Sequence, residues 1–195
     1  MNVTLLTSPA SFKDMENFAA LAALTCHANT DKDYVPHEVL GRIIKAGHES
    51  ILEHITLTYS VKEISRACLQ ELARHRHISL SVESTRHTLR KQATEGFVRS
   101  ISSDIYRYDK AMGFVIFASQ HPDMPNDELK YYLPEFWPTN LILTSNIREL
   151  RHIIKLRSAP AALDEFRVLA RELFNAVPKE YRYLLEDCVY KEARE

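Results

Sequence analysis

Cysteine is scarce in this sequence, which contains three cysteines among 195 residues. Cys26, Cys68 and Cys188 are far apart and odd in number, so they match neither a disulfide framework nor a CxxC zinc knuckle. We therefore expect reduced and mostly structural thiols. None of the three stands out as a catalytic nucleophile.

Long apolar runs and an excess of charge are missing as well. No segment reaches the roughly 18 apolar residues of a membrane span, and residues 1–10 lack the basic and apolar regions of a signal peptide. Lys and Arg total 25 against 26 for Asp and Glu, so the whole molecule exerts no long-range attraction on a nucleic acid. These absences predict a cytoplasmic protein without nucleic-acid or membrane partners.

The composition is that of an ordinary globular protein, with 45% hydrophobic and 26% charged residues. A chain of this length buries one core, and we find neither a repeat nor a low-complexity linker. One domain spanning residues 1–195 is therefore expected. Early strands followed by helices predict an α+β fold, a small and mostly antiparallel sheet packed with helices.

The local patterns predict the following elements. Strands are expected at residues 2–8 and 55–61, the second from its alternation of apolar and polar residues. Loops are expected at 28–34 and, as a loop or irregular strand, at 79–88. Helices are expected at 12–27, from Pro36 to Gly47, and at 65–75, 104–121, 126–133, 138–157, 160–176 and 178–192.

Arginine, histidine and serine are concentrated between residues 74 and 90, which read RHRHISLSVESTRHTLR. The planar fork of arginine suits phosphate or carboxylate oxygens, while serine hydroxyls and backbone N–H groups supply a second anion-binding surface. His75 continues the apolar stripe of the preceding helix and should point inward, with Arg74 and Arg76 on either side. The pattern favours a phosphorylated small molecule over a solvated cluster of charges.

An arginine also falls on the apolar stripe of residues 146–157 (NIRELRHIIKLR). Ile147, Leu150 and Ile154 recur at helical spacing, and Arg157 takes the next position on that stripe. A buried arginine is costly unless an anion or a hydrogen-bond acceptor meets it. An internal carboxylate and a bound ligand would both serve, and the sequence leaves the choice open.

Together these stretches resemble the flavin-dependent thymidylate synthases, the ThyX family, whose signature is RHRxxSxNExSxR. Six of its eight fixed positions agree, namely Arg74, His75, Arg76, Ser79, Ser84 and Arg86. Residues 47–54 are similar to the GHxSxxEH-like segment of the family, and residues 146–157 to its NxRxLxxFLxLR helix. The resemblance extends over most of the chain and is nearest to a short, divergent bacterial branch.

Several positions depart from the family pattern. Ser81 and Val82 replace the Asn-Glu pair of the signature, and Glu83 follows one residue later. A lost carboxylate there could alter flavin or dUMP contacts. The family commonly has Gln, Tyr, Arg and Asn where this chain has Glu71, His87, Lys130 and His152.

The resemblance implies an enzyme that methylates dUMP to dTMP, with methylenetetrahydrofolate as carbon donor, reduced FAD as hydride donor and NADPH as reductant. It implies FAD contacts at Ser50, Arg74, His75, Arg76, Val82, Asn146, Arg148 and His152. It implies dUMP contacts at Glu71, Arg74, Val82, Glu83, Ser84, Thr85, Arg86, Lys130 and Arg157. Family members are homotetramers whose subunits share each active site, so these two sets need not converge within one chain.

Arg157 is the catalytic residue that the resemblance implies. A guanidinium beside the uracil would stabilise the negative charge that develops on the ring when N3 loses its proton. No cysteine nucleophile and no metal are implied. Ser84 lies in an arginine-rich loop, where it is expected to bind phosphate.

The residues alone leave two other functions open. The first is a non-catalytic nucleotide- or RNA-binding module, although a basic excess confined to one loop argues against extended RNA. The second is a metal hydrolase built on the histidine-rich stretches. His48 and His54 are six residues apart and fit no standard helical metal spacing, so hydrogen-bonded turn residues are expected there.

Overall fold

The computed structural model describes residues 1–29, 33–94 and 105–190. The strands are β1 (Asn2–Leu5), β2 (Thr56–Ser65), β3 (Ile78–Val82) and β4 (Pro138–Asn146). The α-helices are α1 (Pro9–Thr25), α2 (Pro36–Lys45), α3 (Arg66–Ala73), α4 (Thr85–Thr94), α5 (Ile105–Gln120), α6 (Asn126–Leu129), α7 (Ile147–Arg157) and α8 (Asp164–Asn175). Short 3-10 helices cover Glu49–His54, Lys130–Tyr132, Lys179–Leu184 and Glu186–Cys188.

The four strands form one antiparallel sheet in the order β1-β2-β4-β3. In β2, the alternate residues Leu57, Tyr59 and Val61 are buried, which is the period-two pattern that the sequence predicts. A register shift between Val61 and Ile64 interrupts the pairing with β4, and Glu63 there adopts a positive φ of 60°. The predicted α+β class with a small antiparallel sheet is confirmed.

The main hydrophobic core lies on one face of this sheet. Residues from β2, β4, α1, α3, α7 and α8 share one buried cluster, which contains for example Leu57, Leu143, Phe12, Ile153 and Leu169. Two side-chain oxygens couple the start of α3 to α8. The hydroxyl of Ser65 caps α3 by accepting from the N–H of Cys68 at 3.0 Å, and Glu165 of α8 accepts the N–H of Ser65 at 2.7 Å.

A second, smaller cluster joins α4, α5 and α6 beside the sheet. Its largest member is Trp137, whose indole N–H donates to Gln92 at 3.0 Å while Phe114 packs edge-on against the ring. The guanidinium of Arg90 donates to carbonyl oxygens at and beyond the end of α5, on Ala118, His121 and Met124. These bonds satisfy groups that a helix C-terminus leaves unpaired.

The helices predicted at 12–27, from Pro36, at 65–75, 104–121 and 160–176 are all present with shifted ends, although residue 104 lies outside the described residues. The prediction of one helix at 138–157 is wrong for its first half, which forms strand β4, and correct for its second half, which forms α7. The apolar run 141–143 is too short to distinguish strand from helix, and pairing with β2 and β3 decides for the strand.

Three further predictions need correction. Residues 79–88 are the end of β3 and the beginning of α4, because backbone pairing with β4 orders the first part and the carbonyl of Ser84 starts the helix. The helix predicted at 126–133 is α6 followed by a 3-10 turn. The helix predicted at 178–192 is two 3-10 helices with a break at Leu185, and residues 191 and 192 lie outside the described range. Of the loop predicted at 28–34, residues 30–32 lie outside the described residues.

All three thiols are free, and Cys68 and Cys188 are buried. Burial raises the pKa of the Cys68 thiol to about 12, so this group stays protonated at neutral pH. The expectation of reduced and structural cysteines agrees with this environment. Among the described helices, none combines the length and the apolarity that crossing a bilayer requires.

Arg151 is the main polar connection between α7 and the C-terminal 3-10 helices. Its side chain is 5% exposed, and its Nε donates to Glu49 at 2.9 Å. Nη1 donates to the carbonyl oxygen of Leu184 at 2.6 Å, and Nη1 and Nη2 form a two-pronged pair with Asp187 at 2.7 and 2.6 Å. These bonds to Arg151 hold the pKa of Asp187 below its usual value.

We predict that Arg151→Leu lowers the free energy of unfolding by about 1–3 kcal/mol, because several hydrogen bonds to charged groups are lost. The partner carboxylates are 36% and 51% exposed and can regain water, which keeps the loss in this range. Urea titration at one fixed protein concentration measures it. Arg167→Leu, which breaks an exposed ion pair with Asp164, should cost about 1 kcal/mol or less. Equal losses in both variants would contradict the structural role of Arg151.

Candidate active site

Arg157, the last residue of α7, contacts α3, α8 and the turn that follows α3. Its Nη1 donates to Glu71 Oε2 at 2.9 Å, and its Nε donates to His75 Nε2 at 3.2 Å. The guanidinium lies over the ring of Phe166, 4.8 Å from its centroid. An internal carboxylate therefore meets the arginine on the apolar stripe, one of the two outcomes that the sequence leaves open.

The hydrogen bonds of His75 determine which ring nitrogen carries the proton. Arg157 Nε is only a donor, so His75 Nε2 must offer its lone pair. The proton is then on Nδ1, which lies 3.1 Å from Glu149 Oε1. Burial lowers the pKa of His75, and the positive charge of Arg157 adds to this against the opposing effect of Glu149. The ring is therefore neutral at neutral pH.

Arg157 keeps hydrogen-bonding capacity for a ligand. Its side chain is 14% exposed, and Nη2 meets no acceptor within the part of the chain that the structure describes. A guanidinium has five N–H donors in a fixed plane. With Nε and one donor of Nη1 in use, the remaining edge can receive a carbonyl or an anionic oxygen.

A cavity of about 530 Å³ lies beside this network. Seven residues line it, namely Glu49, Glu53, His77, Asn146, Arg148, Glu149 and His152. Three of them, Asn146, Arg148 and His152, are positions that the family resemblance assigns to FAD. The cavity thus brings together residues from α7, the turn after α3 and the 3-10 helix 49–54.

The direct transition from β4 into α7 explains how these residues come together. Asn146 ends the strand, and its side-chain oxygen accepts the N–H of Glu149 at 2.8 Å, as an N-cap does. Arg148 and His152 are one turn apart and both are exposed. Arg148 also reaches Glu53 in the 3-10 helix, which brings that helix against α7.

The remaining positions assigned to FAD lie on the surface or in the core. Ser50 is exposed in the 3-10 helix that lines the cavity, and Arg76 is exposed after α3. Arg74 is 73% exposed, with one weak contact to Glu71 at 3.4 Å. His75 is buried, with both ring nitrogens bonded to protein groups. Direct contact between these nitrogens and FAD would require those bonds to break.

Four of the nine positions assigned to dUMP, namely Ser84, Thr85, Arg86 and Lys130, form a second group around α4 and α6. Arg86 Nε lies 3.0 Å from Asp127, and Lys130 Nζ lies 3.4 Å from the same carboxylate. Ser84 begins α4 by accepting backbone N–H groups with its carbonyl oxygen, and Thr85 follows it as the first helical residue. Two cations and a helix N-terminus therefore lie close together, as a phosphate site requires.

Val82 and Glu83 lie at the end of β3. Val82 is 37% exposed, so the position of the family carboxylate is accessible but apolar. Glu83 accepts from the side-chain amide of Asn140 at 2.7 Å, and its N–H donates to the carbonyl of the same residue at 2.8 Å. The carboxylate next to Val82 is thus held against β4.

Strand β3 lies between the two groups along the chain, because Glu71 and His75 precede it and Ser84 and Arg86 follow it. Ile78 pairs with Ser145 near the start of α7, whereas Val82 pairs with Leu141. The five residues of this strand separate its ends by about 13 Å. His75 precedes one end of β3 by three residues, and Ser84 follows the other end by two residues.

Sequence reasoning missed Glu149 and Phe166. Glu149 is in the first turn of α7, where an acidic residue needs no further explanation. Phe166 belongs to the apolar stripe of α8. Their roles depend on a contact between α3 and α7 that no local pattern indicates.

Nitrogen and oxygen atoms of His75, Glu149 and His152 lie within 4.8 Å of one another, a distance that a metal ion could bridge. The hydrogen bonds of His75 use both ring nitrogens, which leaves no lone pair for an ion. His48 and His54 flank a 3-10 helix, in line with the expected turn. The geometry of His75 therefore favours a network of hydrogen bonds over a metal site.

Comparison with known proteins places these residues in a family. The family described as thymidylate synthase complementing protein matches residues 6–181. The flavin-dependent thymidylate synthase of Campylobacter jejuni is 36% identical over 185 residues, which cover 86% of this chain and 85% of that protein. The enzyme of the same name from Helicobacter pylori is 37% identical over 177 residues, covering 82% and 83%.

A solved structure of thymidylate synthase X from Helicobacter pylori with FAD and dUMP superimposes with a TM-score of 0.85. It is 31% identical and the match covers 98% of this chain and 100% of that chain. A second structure from the same organism, also complexed with FAD and dUMP, gives 0.84 at 31% identity. On these sequence and structural matches, the chain belongs to the flavin-dependent thymidylate synthase family.

Proposed function

We propose that this enzyme converts dUMP to dTMP, with methylenetetrahydrofolate as carbon donor, FAD as its flavin and NADPH as reductant, and that it releases tetrahydrofolate. The main support is the geometry of Arg157. A largely buried guanidinium keeps one free edge, and a hydrogen-bonded chain connects it to a cavity lined by family FAD positions. Relatives of the same fold hold FAD and dUMP together.

The chemistry of the cavity suits FAD. Arg148 at the first turn of α7 combines a cation with the positive end of the helix dipole, which favours a diphosphate. Ser50 and Arg76 are exposed and each is adjacent in sequence to a residue that lines the cavity, Glu49 and His77, and Arg74 is a further exposed donor. Bound and reduced, FAD supplies the hydride that a protein side chain cannot.

Arg157 activates the uracil in this proposal. Its guanidinium is a planar cation that presents parallel N–H donors to a ring oxygen. It thereby stabilises the negative charge on a ring that loses the N3 proton. Glu71 and His75 hold the guanidinium in one orientation, so little reorganisation is needed when the substrate binds.

The phosphate of dUMP binds at the beginning of α4 in this proposal. Arg86 and Lys130 supply the charge, and Ser84 and Thr85 supply hydroxyls at the helix N-terminus. Asp127 pairs with both cations, so a bound phosphate competes with this carboxylate.

We propose a homotetramer whose subunits share each active site. Among the described residues, no hydrogen bond or ion pair joins Arg157 to Arg86 or Lys130, and β3 lies between the two groups along the chain. A neighbouring subunit that presents its α4 to the Arg157 of the first would complete the site.

We predict that Arg157→Lys and Arg157→Ala retain FAD but lose dTMP formation by on the order of 10²-fold or more, as removal of one charge-stabilising donor group does. Absorbance of the purified protein near roughly 370 and 450 nm reports bound flavin. The conversion of dUMP to dTMP is followed with labelled methylenetetrahydrofolate. The lysine variant keeps a cation and most of the volume, which controls for lost packing against Phe166. Turnover near the wild-type rate in both variants would remove Arg157 from the mechanism.

We predict that Arg86→Ala weakens dUMP binding by about tenfold or more and leaves FAD binding nearly unchanged, because a charge-assisted bond to phosphate is lost. Titration with each ligand measures both effects. Asp127→Asn is the matched variant and should tighten dUMP binding, since it removes the competing carboxylate. Equal weakening for the two ligands in Arg86→Ala would contradict the assignment.

Shared active sites make a further prediction. Arg157→Ala subunits are expected to be inactive, and Arg86→Ala subunits to bind dUMP weakly. Mixing the two should raise the activity at low dUMP concentration above that of either variant alone, because some sites then take an intact Arg157 and an intact Arg86 from different chains. The mixture is denatured together, refolded and assayed beside each variant treated alone. Absence of recovered activity in correctly assembled mixed oligomers would show that both arginines of one site come from one chain.

A further inference from the structure

We propose that Glu149 is a positioning residue of this enzyme, which fixes His75 in the one tautomer that can hold Arg157 in place. The inference rests on the proposed function of Arg157. It gives a role to Glu149, which the signature of the family does not include and which the lining of the cavity alone does not explain. Its basis is the continuous chain of contacts Glu149–His75–Arg157–Glu71, which runs from the cavity to the guanidinium.

The placement of Glu149 is well defined. The residue is 9% exposed, and the Asn146 side chain accepts its backbone N–H at 2.8 Å, so the first turn of α7 sets its position. From there the carboxylate reaches His75 Nδ1 at 3.1 Å. A buried carboxylate needs a hydrogen-bond donor, and among the described residues His75 is the one that contacts this carboxylate.

The tautomer follows from the direction of the hydrogen bonds. An ionised carboxylate can only accept, so it requires a proton on Nδ1 of His75. Nε2 is then left with a lone pair that faces the Nε–H of Arg157 at 3.2 Å. In the other tautomer, two N–H groups would face each other at Nε2 and a lone pair would face the carboxylate at Nδ1. Both contacts would be repulsive, so Glu149 selects the arrangement that Arg157 needs.

Three contacts then define the orientation of Arg157. His75 holds Nε, Glu71 holds Nη1, and the ring of Phe166 supports the plane of the guanidinium. If the bond to His75 is lost, the guanidinium can rotate about its contact with Glu71. A misplacement of about 1 Å can cost on the order of 10²-fold in rate. Glu149 therefore acts on the reaction through His75, without touching the uracil.

Glu149→Leu tests this inference, since leucine has a similar size but no acceptor. We expect flavin binding to persist and kcat to fall by on the order of 10- to 100-fold. The KM for dUMP should change less, because the correct position of Arg157 matters mainly for stabilising the transition state. Glu149→Gln retains an amide oxygen that can accept from Nδ1, and it should recover much of the loss. Equal kcat values for wild type and Glu149→Leu would overturn the inference.

A second measurement does not depend on turnover. Nitrogen-15 NMR of histidine-labelled protein distinguishes the two neutral tautomers, and His75→Asn identifies the resonance of His75 by difference. We expect Nδ1-protonated His75 in the wild type, a mixture of tautomers in Glu149→Leu and the wild-type form in the control Glu53→Leu. Glu53 lines the same cavity but pairs with Arg148. A wild-type His75 protonated on Nε2 would overturn the inference.

The two measurements separate this inference from the proposed function. Wild-type protein that holds FAD but forms no dTMP would contradict the proposed function, while the tautomers would still decide whether Glu149 controls His75. If the wild-type protein forms dTMP but His75 keeps its tautomer in Glu149→Leu, the proposed function stands and the inference is overturned. One firmly bound metal ion per chain that is lost in Glu149→Leu would also overturn it.

Discussion

The contact between Arg157 and the neutral ring of His75 connects the folding of this chain to its chemistry. An arginine at the edge of a core is stable only if acceptors meet its donors. Glu71 supplies a charged acceptor and His75 a neutral one, so the guanidinium is held without being fully neutralised. Because the three residues come from α7, α3 and the turn after α3, this contact exists only when the sheet has brought those elements together.

Helix α7 carries three arginines whose environments, and therefore whose roles, differ. Arg148 is exposed and lines the cavity. Arg151 is buried and makes four hydrogen bonds, to Glu49, Leu184 and Asp187, whereas Arg157 is partly buried with a free edge. The difference lies in the number of donors that the protein itself satisfies. A buried arginine with four of its five donors bonded to protein groups stabilises the fold, whereas one with a free edge can act on a ligand.

The sequence predicted much of this arrangement because helical spacing is a strong signal. Residues at that spacing correctly indicated a buried His75, and the position of Arg157 on the apolar stripe indicated an acceptor. Local patterns could not predict β4, because the short apolar run 141–143 becomes a strand only through pairing with β2 and β3. Glu149 was beyond reach for the same reason, since its partner is 74 residues away in sequence.

The junction between β4 and α7 contains no loop. Asn146 is the last residue of the strand and the cap of the helix, and the N–H of Ile147 bonds to the carbonyl of Ile55 at 2.8 Å. The hydrogen-bond ladder of the sheet therefore sets the rotational phase of the helix. One extra residue at this point would turn every later side chain by about 100° around the helix axis. Arg157 would leave Glu71, and Arg151 would leave Asp187, so the length of the chain at this joint is constrained by the fold and by the chemistry at once.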